Sequence, residues 1–197
     1  MQTFKTSVTF TAQTKLISAL HRLYSAVDRT QKSPTDILPI VVFMAFSIEA
    51  YLNQLGLQHR VFRDDRKSKL GWKTKVELLH EHCGKKPIWG QGPLQFATAI
   101  FDLRDQLAHS KPETVIGPSF SSQQDADEFI VNDEMEPEWF KKIDADWLDK
   151  SAAKFDTLME YLATLHGLLP TDYFKQSSRW VYLKDSDSNL EPIDKKR

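Results

Sequence analysis

Apolar residues recur with helical spacing in five stretches of the chain, and polar segments rich in glycine or proline separate them. The second stretch is apolar nearly all round its first turns, which is typical of the central helix of a bundle. Gly84 and Pro112 are stop signals for the third and fourth helices. The pattern predicts helices over residues 11–29, 37–59, 72–83, 94–110 and 139–169.

Two further segments lack the helical period. Residues 114–138 contain turn residues, many acids and two short apolar pieces, so we expect a polar insertion there, with a small hairpin as the favoured structure. In the C-terminal part, "RWVYL" has the composition of a short strand, and residues 184–197 that of a mobile polar tail. The sequence therefore predicts an all-α helical bundle over residues 1–169, with an insertion between the fourth and fifth helices, and a C-terminal extension over residues 170–197.

Composition narrows the class of protein. The chain has 197 residues, 41% of them hydrophobic, and a formal net charge of -1, which suits one globular domain and not a strongly basic nucleic-acid-binding protein. Cys83 is the single cysteine, which rules out an internal disulfide and suits a reducing cytosol. No signal-peptide core is visible, and polar residues interrupt the most apolar run, residues 37–55. We therefore expect a cytoplasmic protein that does not cross a membrane.

The end of the fourth predicted helix, "LRDQLAHSKPE", gathers the residue types that handle phosphate and protons. Asp105 and His109 are one turn apart, so the carboxylate can hydrogen-bond the imidazole and favour its charged form; the same spacing also occurs in ordinary surface pairs. Arg104 lies on the flank of the apolar stripe, about 140° from His109 on an ideal helix. A single straight helix cannot aim both side chains at one point. Either the last turn opens before Pro112 or a second copy completes the site.

These residues carry a resemblance to a family. "LRDQLAHSKPE" resembles the R-x4-6-H signature of the HEPN domain superfamily, with Arg104 and His109 at the signature positions. "FSIEAYLNQLG", with Glu49, resembles the glutamate-bearing helix that often precedes the signature, and the order of helices is similar over residues 11–169, the insertion excluded. Asp105 stands where asparagine is frequent. Lys111 stands where some toxin members have a tyrosine that a partner enzyme modifies, so the resemblance does not extend to that regulation.

The resemblance implies a helical bundle that dimerises so that two signature helices face each other. Many members are metal-independent endoribonucleases of toxin–antitoxin or antiviral systems, and others are inactive binding or scaffold domains. RNA cleavage by its own 2′-hydroxyl needs an acid, a base and a positive charge on phosphate, which His109 and Arg104 supply without a metal or cofactor. We therefore expect a homodimer with an RNA substrate and, for a toxin, an antitoxin partner. A plain helical scaffold in which the motif is accidental stays a third hypothesis.

Other side chains allow two interpretations each. Glu49, inside an apolar helix, needs a partner; it either orients Arg104 or forms a salt bridge with a lysine. The basic connector after the second helix, residues 59–75, could bind along a single RNA strand, or it could be a solvated loop. We prefer the solvated loop. Candidate RNA-binding residues are Arg63, Arg66, Lys67, Lys69 and Lys111. The spacing of His80, His82 and Cys83 matches no zinc pattern, so we expect no metal site.

Overall fold

The computed structural model describes residues 4–8, 11–27, 34–62, 70–109, 111–132, 135–174 and 179–183. Its α-helices are α1 (Ala12–Ala26), α2 (Pro34–Gln58), α3 (Trp72–His82), α4 (Gly92–His109), α5 (Gln123–Asn132), α6 (Glu138–Lys141) and α7 (Ala145–Leu165). A 3-10 helix, Pro170–Phe174, follows α7. The strands β1 (Phe4–Val8) and β2 (Arg179–Leu183) form one antiparallel pair, in which Thr6 is opposite Val181.

The helices form a bundle, as the apolar pattern predicted. α2 is its central element and contacts α1, α3, α4 and α7, while α4 and α7 also contact each other. One side of α2 supplies fully buried side chains to the core, among them Ile40, Met44 and Leu55. By length and composition α2 could cross a membrane, yet half of its most apolar window is buried inside the protein. Such burial is typical of the core helix of a bundle.

The segment between α4 and α7 contains a helix, α5, so the expectation of a hairpin there is wrong. The described residues between 111 and 132 contain no strand, and the apolar piece Phe129–Val131 lies inside α5. Ser122 explains the helix, because its hydroxyl accepts a hydrogen bond from the backbone N–H of Asp125 at 3.2 Å. The spacing of Ala126, Phe129 and Ile130 fits a helix better than a strand.

The fifth predicted helix is two helices. α6 ends at Lys141, and α7 begins at Ala145, immediately after Asp144. The Asp144 side chain accepts a hydrogen bond from the backbone N–H of Trp147 at 2.7 Å, which is the usual role of an N-cap aspartate. Aspartate is a common N-cap residue, so this signal is present in the sequence, although apolar residues continue on both sides of it.

The first described residues of the predicted C-terminal extension, the 3-10 helix Pro170–Phe174, pack on the bundle. Tyr173, in the 3-10 helix, is buried with the core residues, and its hydroxyl donates a hydrogen bond to Asp156 at 3.1 Å. Its backbone carbonyl accepts a hydrogen bond from the Gln13 side chain of α1. The short strand predicted for "RWVYL" is confirmed as β2, and the predicted polar tail, residues 184–197, lies outside the described residues.

Candidate functional site

The helix that carries the predicted site residues stays regular to its end. α4 runs without interruption to His109, so its last turn does not open to bring His109 round towards Arg104. His109 is exposed, and Arg104 is half-buried. The two side chains therefore keep the separation expected on a straight helix, about 140° around its axis.

Aromatic packing holds Arg104 in place. Its guanidinium carbon lies 5.2 Å from the centroid of the Phe101 ring, one turn earlier on α4. The buried Phe101 ring is in turn stacked on Trp72 of α3, with centroids 4.2 Å apart and planes 8° apart. A guanidinium on an aromatic face loses side-chain freedom and keeps its donors available. Arg104 is thus oriented by Phe101 from the neighbouring turn of its own helix.

Asp105 is close to Arg104 and does not bond His109. Its Oδ1 lies 3.0 Å from Arg104 Nε, in an ion pair whose geometry lacks the alignment of a hydrogen bond. The hydrogen bond expected between Asp105 and His109 is absent from the described part of the chain. Asp105 and His109 instead line an open surface groove together with Asp102 and Gln106. This groove offers an imidazole and two carboxylates to solvent.

Glu49 has a different partner from the one that catalysis would need. Its Oε1 accepts a hydrogen bond from Lys75 Nζ at 2.9 Å, which joins α2 to α3. The Lys75 side chain is only 2% exposed, and that of Glu49 is 34% exposed. Among the described residues Arg104 pairs with Asp105 and not with Glu49. The expectation that Glu49 orients Arg104 is therefore wrong, and the salt-bridge alternative holds.

The structure describes residues 59–62 and 70–75 of the basic connector. The candidate RNA-binding residues Arg63, Arg66, Lys67 and Lys69 lie outside the described residues, and Lys111 is exposed just after α4. Trp72 and Trp89, which lie near the connector, meet edge to face at 5.6 Å. Because Trp72 also stacks on Phe101, its ring supports α4 and is not free to stack on a base.

A cluster of histidines escaped prediction because its members come from three separate elements. His59 follows α2, His82 ends α3 and His166 follows α7. The rings of His59 and His166 are stacked at 4.6 Å, and each is about 6 Å from His82 (6.0 Å and 6.2 Å). Cys83 Sγ lies 3.4 Å from His166 Nδ1. No group of three or more described His, Cys, Asp or Glu side chains is arranged to hold a metal ion.

Burial and the neighbouring histidines lower the pKa of two members of this cluster, His59 and His166. Burial in the first place, and then the neighbouring His59, His82 and His80, lower the pKa of His166 to about 4. The pKa of His59 is also lowered, by burial first and by His82 second. The Nε2 atoms of both His59 and His166 are buried without a hydrogen-bond partner in the described structure. Both properties disfavour a charge on His59 and His166, where the ends of α2 and α7 meet.

His80 and Tyr161 form a second unpredicted pair, between α3 and α7. His80 Nδ1 lies 2.8 Å from the Val76 carbonyl and Nε2 lies 2.6 Å from the Tyr161 hydroxyl. Because a carbonyl only accepts, Nδ1 carries the proton and the Tyr161 hydroxyl donates to Nε2. Burial lowers the pKa of His80, and Lys85 lowers it further.

Comparison of the chain with protein-family models, with curated proteins and with solved structures yields no match. The resemblance to HEPN domains therefore rests on the residues themselves, and it stays a prediction.

Proposed function

We propose that this protein is a HEPN-type, metal-independent endoribonuclease that acts as a homodimer. The observation that carries the proposal is the end of α4, where His109 is exposed and Arg104 is fixed on Phe101. The helical bundle around α4 is the architecture that such a domain requires. A role as a toxin or in antiviral defence, an antitoxin partner and a cytoplasmic location belong to the same proposal.

The proposed reaction is transesterification of RNA. A neutral histidine takes the proton of the 2′-hydroxyl, whose oxygen forms a bond to phosphorus while the bond from phosphorus to the 5′-oxygen breaks. The same histidine, now protonated, gives this proton to that leaving oxygen. An arginine holds the phosphate through two parallel hydrogen bonds and stabilises the added charge. The products are a 2′,3′-cyclic phosphate and a 5′-hydroxyl, and the reaction consumes no metal and no water.

A second copy of the chain supplies what one helix cannot. Because α4 is helical to His109, one chain aims Arg104 and His109 in different directions. Two α4 helices facing each other across a two-fold axis bring the His109 of each close to the Arg104 of the other. Such a dimer contains two pairs of Arg104 and His109, and within each pair the one histidine takes the proton of the 2′-hydroxyl and then gives it to the 5′-oxygen.

A second candidate function is a binding or scaffold domain of the same fold without catalytic activity. The groove at His109 favours it, because Asp102 and Asp105 line that groove and repel phosphate. Lys75, not Arg104, is the partner of Glu49, which removes one of the expected orienting contacts.

Cleavage of single-stranded RNA in excess chelator tests the proposal. Wild-type protein should leave 2′,3′-cyclic phosphate ends, His109→Ala should abolish cleavage, and Arg104→Lys should be less active than wild type because lysine lacks the planar fork. Lys142→Ala, a change at an exposed residue immediately after α6, is the control and should cut normally. If purified wild-type protein cuts no RNA, or if His109→Ala retains full activity, the ribonuclease proposal fails.

A further inference from the structure

Two cavities flank the first turn of α4, and Gly92 and Pro93 line both of them. The first, of about 540 Å³, lies between α4 and the first half of α7. The second, of about 610 Å³, lies between the loop after α3 and Tyr161 of α7. Both volumes are within the range of sites that bind small organic ligands. They are at the opposite end of α4 from His109.

One face of α7 runs along both cavities. Trp147, Lys150, Ser151, Lys154 and Thr157 line the first cavity, and Tyr161 lines the second. On a helix of 100° per residue these six positions lie within a stripe about 120° wide. From the first to the last of them the helix rises about 21 Å. The two cavities therefore follow one another along this stripe and share Gly92 and Pro93, and we call them together the cleft.

The charge of the cleft is of one sign. Lys150 and Lys154 line the first cavity, Lys85 and Lys86 line the second, and no Asp or Glu lines either. This separation is notable in a chain with 27 acidic and 26 basic residues. In the described part of the chain, none of the four lysines is in an ion pair. Their ammonium groups are exposed at the rim of the cleft, where an anion can reach them.

Three of the four acids of α7 lie on another side of the helix. Asp149, Asp156 and Glu160 are each at least about 120° from the centre of the lysine-bearing stripe, and Asp146, in the first turn, is about 80° from it. Asp156 accepts the hydrogen bond of Tyr173, on the side of α7 that faces the 3-10 helix. The stripe is thus a strip of positive charge on a helix that is acidic elsewhere.

Part of the lining of the first cavity is apolar and aromatic. Phe96 and Ile100 of α4 and Trp147 of α7 line it beneath the lysines. An aromatic ring offers a stacking surface to any planar base, whatever its sequence identity. The hydroxyl of Tyr161 and the ring of His80 add fixed polar groups in the second cavity.

We propose that this cleft binds a nucleoside phosphate, with the base against Trp147 and Phe96 and the phosphate between Lys150 and Lys154. Lys85 and Lys86 bind a further phosphate when one is present. The ligand is a free nucleotide or one residue of an RNA strand, which share this chemistry. The proposal does not depend on Arg104 and His109, and so it is independent of the proposed ribonuclease activity.

Calorimetric titration of the full chain with each of the four nucleoside monophosphates, and with a short single-stranded RNA, tests the proposal. The RNA titration uses His109→Ala protein, so that the strand stays intact. We expect one saturable site per chain and affinity at least about tenfold weaker for the double variant Lys150→Gln, Lys154→Gln, which loses two charged contacts. The matched control Lys141→Gln, Lys142→Gln changes two exposed lysines outside the cleft and should bind as wild type does.

The results separate the two sources of ligand. Binding of mononucleotides assigns the cleft to free nucleotides, and binding of the RNA strand alone assigns it to RNA; both support the site if the Lys150, Lys154 variant loses it. Absence of saturable binding of either probe overturns the proposal, as does an equal loss in the control variant. RNA cleavage without binding in the cleft would leave the ribonuclease standing and refute this site. Nucleotide binding without RNA cleavage would support this site and refute the ribonuclease.

Discussion

Lys75 Nζ lies 2.9 Å from Glu49 Oε1, and this bond joins the buried end of a lysine on α3 to the central helix of the bundle. The two residues differ in burial, because the Lys75 side chain is 2% exposed and the Glu49 side chain 34% exposed. Removal of Glu49 would leave an ammonium group in the core without its counter-ion. Removal of Lys75 would leave a carboxylate that water can still reach.

We therefore predict that Glu49→Ala lowers the free energy of unfolding by about 2 kcal/mol, with allowance for the partial exposure of the pair. Lys75→Met, which replaces the ammonium group by apolar volume, should cost clearly less, and the double variant should resemble Lys75→Met. Urea unfolding of the three variants measures these differences. If Lys75→Met is the most destabilised of the three, burial of the lysine does not govern the pair.

The histidine cluster should make stability depend on pH. The pKa of His166 is lowered from 6.5 to about 4 in the folded protein, so below about pH 6.5 the unfolded chain takes up a proton that the folded chain does not. The contribution of His166 to stability is complete above pH 6.5 and is lost as the pH falls towards 4. Because the ring is partly exposed, we expect a loss of about 1–2 kcal/mol over this range.

His166→Phe is the informative variant, since it keeps an aromatic ring next to His59 and cannot be protonated. Urea unfolding at several pH values should show a smaller loss of stability for this variant than for wild type between about pH 6.5 and 4.5. The difference between the two proteins cancels the contribution of the carboxylates, which both share. Parallel curves for the two proteins would contradict the neutral state inferred for His166.

Gly56, near the end of α2, has no room for a side chain. A Cβ atom at this position would lie 1.7 Å from Cδ2 of Phe62, whose buried ring folds back onto the helix. The Gly56 carbonyl accepts hydrogen bonds from the backbone N–H groups of Val61 and Phe62, which hold that ring in place. We predict that Gly56→Ala lowers the free energy of unfolding by about 3 kcal/mol.

Gly71→Ala is the matched control, because no atom lies within 4 Å of the Cβ that it would add. It should change the free energy of unfolding by less than about 1 kcal/mol. The double variant Gly56→Ala, Phe62→Ala should remove the clash, but it also lacks the packing contacts of the Phe62 ring. If Gly56→Ala is as stable as the control, the close contact between α2 and Phe62 is not present in solution.

Local signals in the sequence were sufficient for most of the fold. Helical periodicity located the helices of the bundle, and Gly84, at φ +65°, marks the end of α3 as expected of a C-terminal glycine. Two of the differences, α5 in place of a hairpin and α6 and α7 in place of one helix, occur where the N-cap residues Ser122 and Asp144 begin a new helix. The strand β1 is a third difference, since the sequence predicts no strand there. Apolar pairs alone do not distinguish a strand from a short amphipathic helix.

Long-range contacts account for what the sequence could not predict at the site. The carboxylate of Glu49 could pair with any lysine or arginine, and only the approach of α3 to α2 selects Lys75. The histidine cluster and the lysine-lined cleft bring together residues from helices distant in sequence. The exposed position of His109 and the flanking position of Arg104 were predictable, because both depend only on the periodicity of α4.

The central claim is that Arg104 of one chain and His109 of another form one site, and mixing two inactive variants tests it most directly. Arg104→Ala and His109→Ala protein would be unfolded together, refolded to exchange subunits and assayed for RNA cleavage in chelator. A mixed dimer contains one intact pair of Arg104 and His109, so statistical mixing should restore about one quarter of wild-type activity. Wild-type protein taken through the same unfolding is the control. If the mixture stays inactive while the control recovers its activity, the two residues do not act across a dimer, and the account is contradicted.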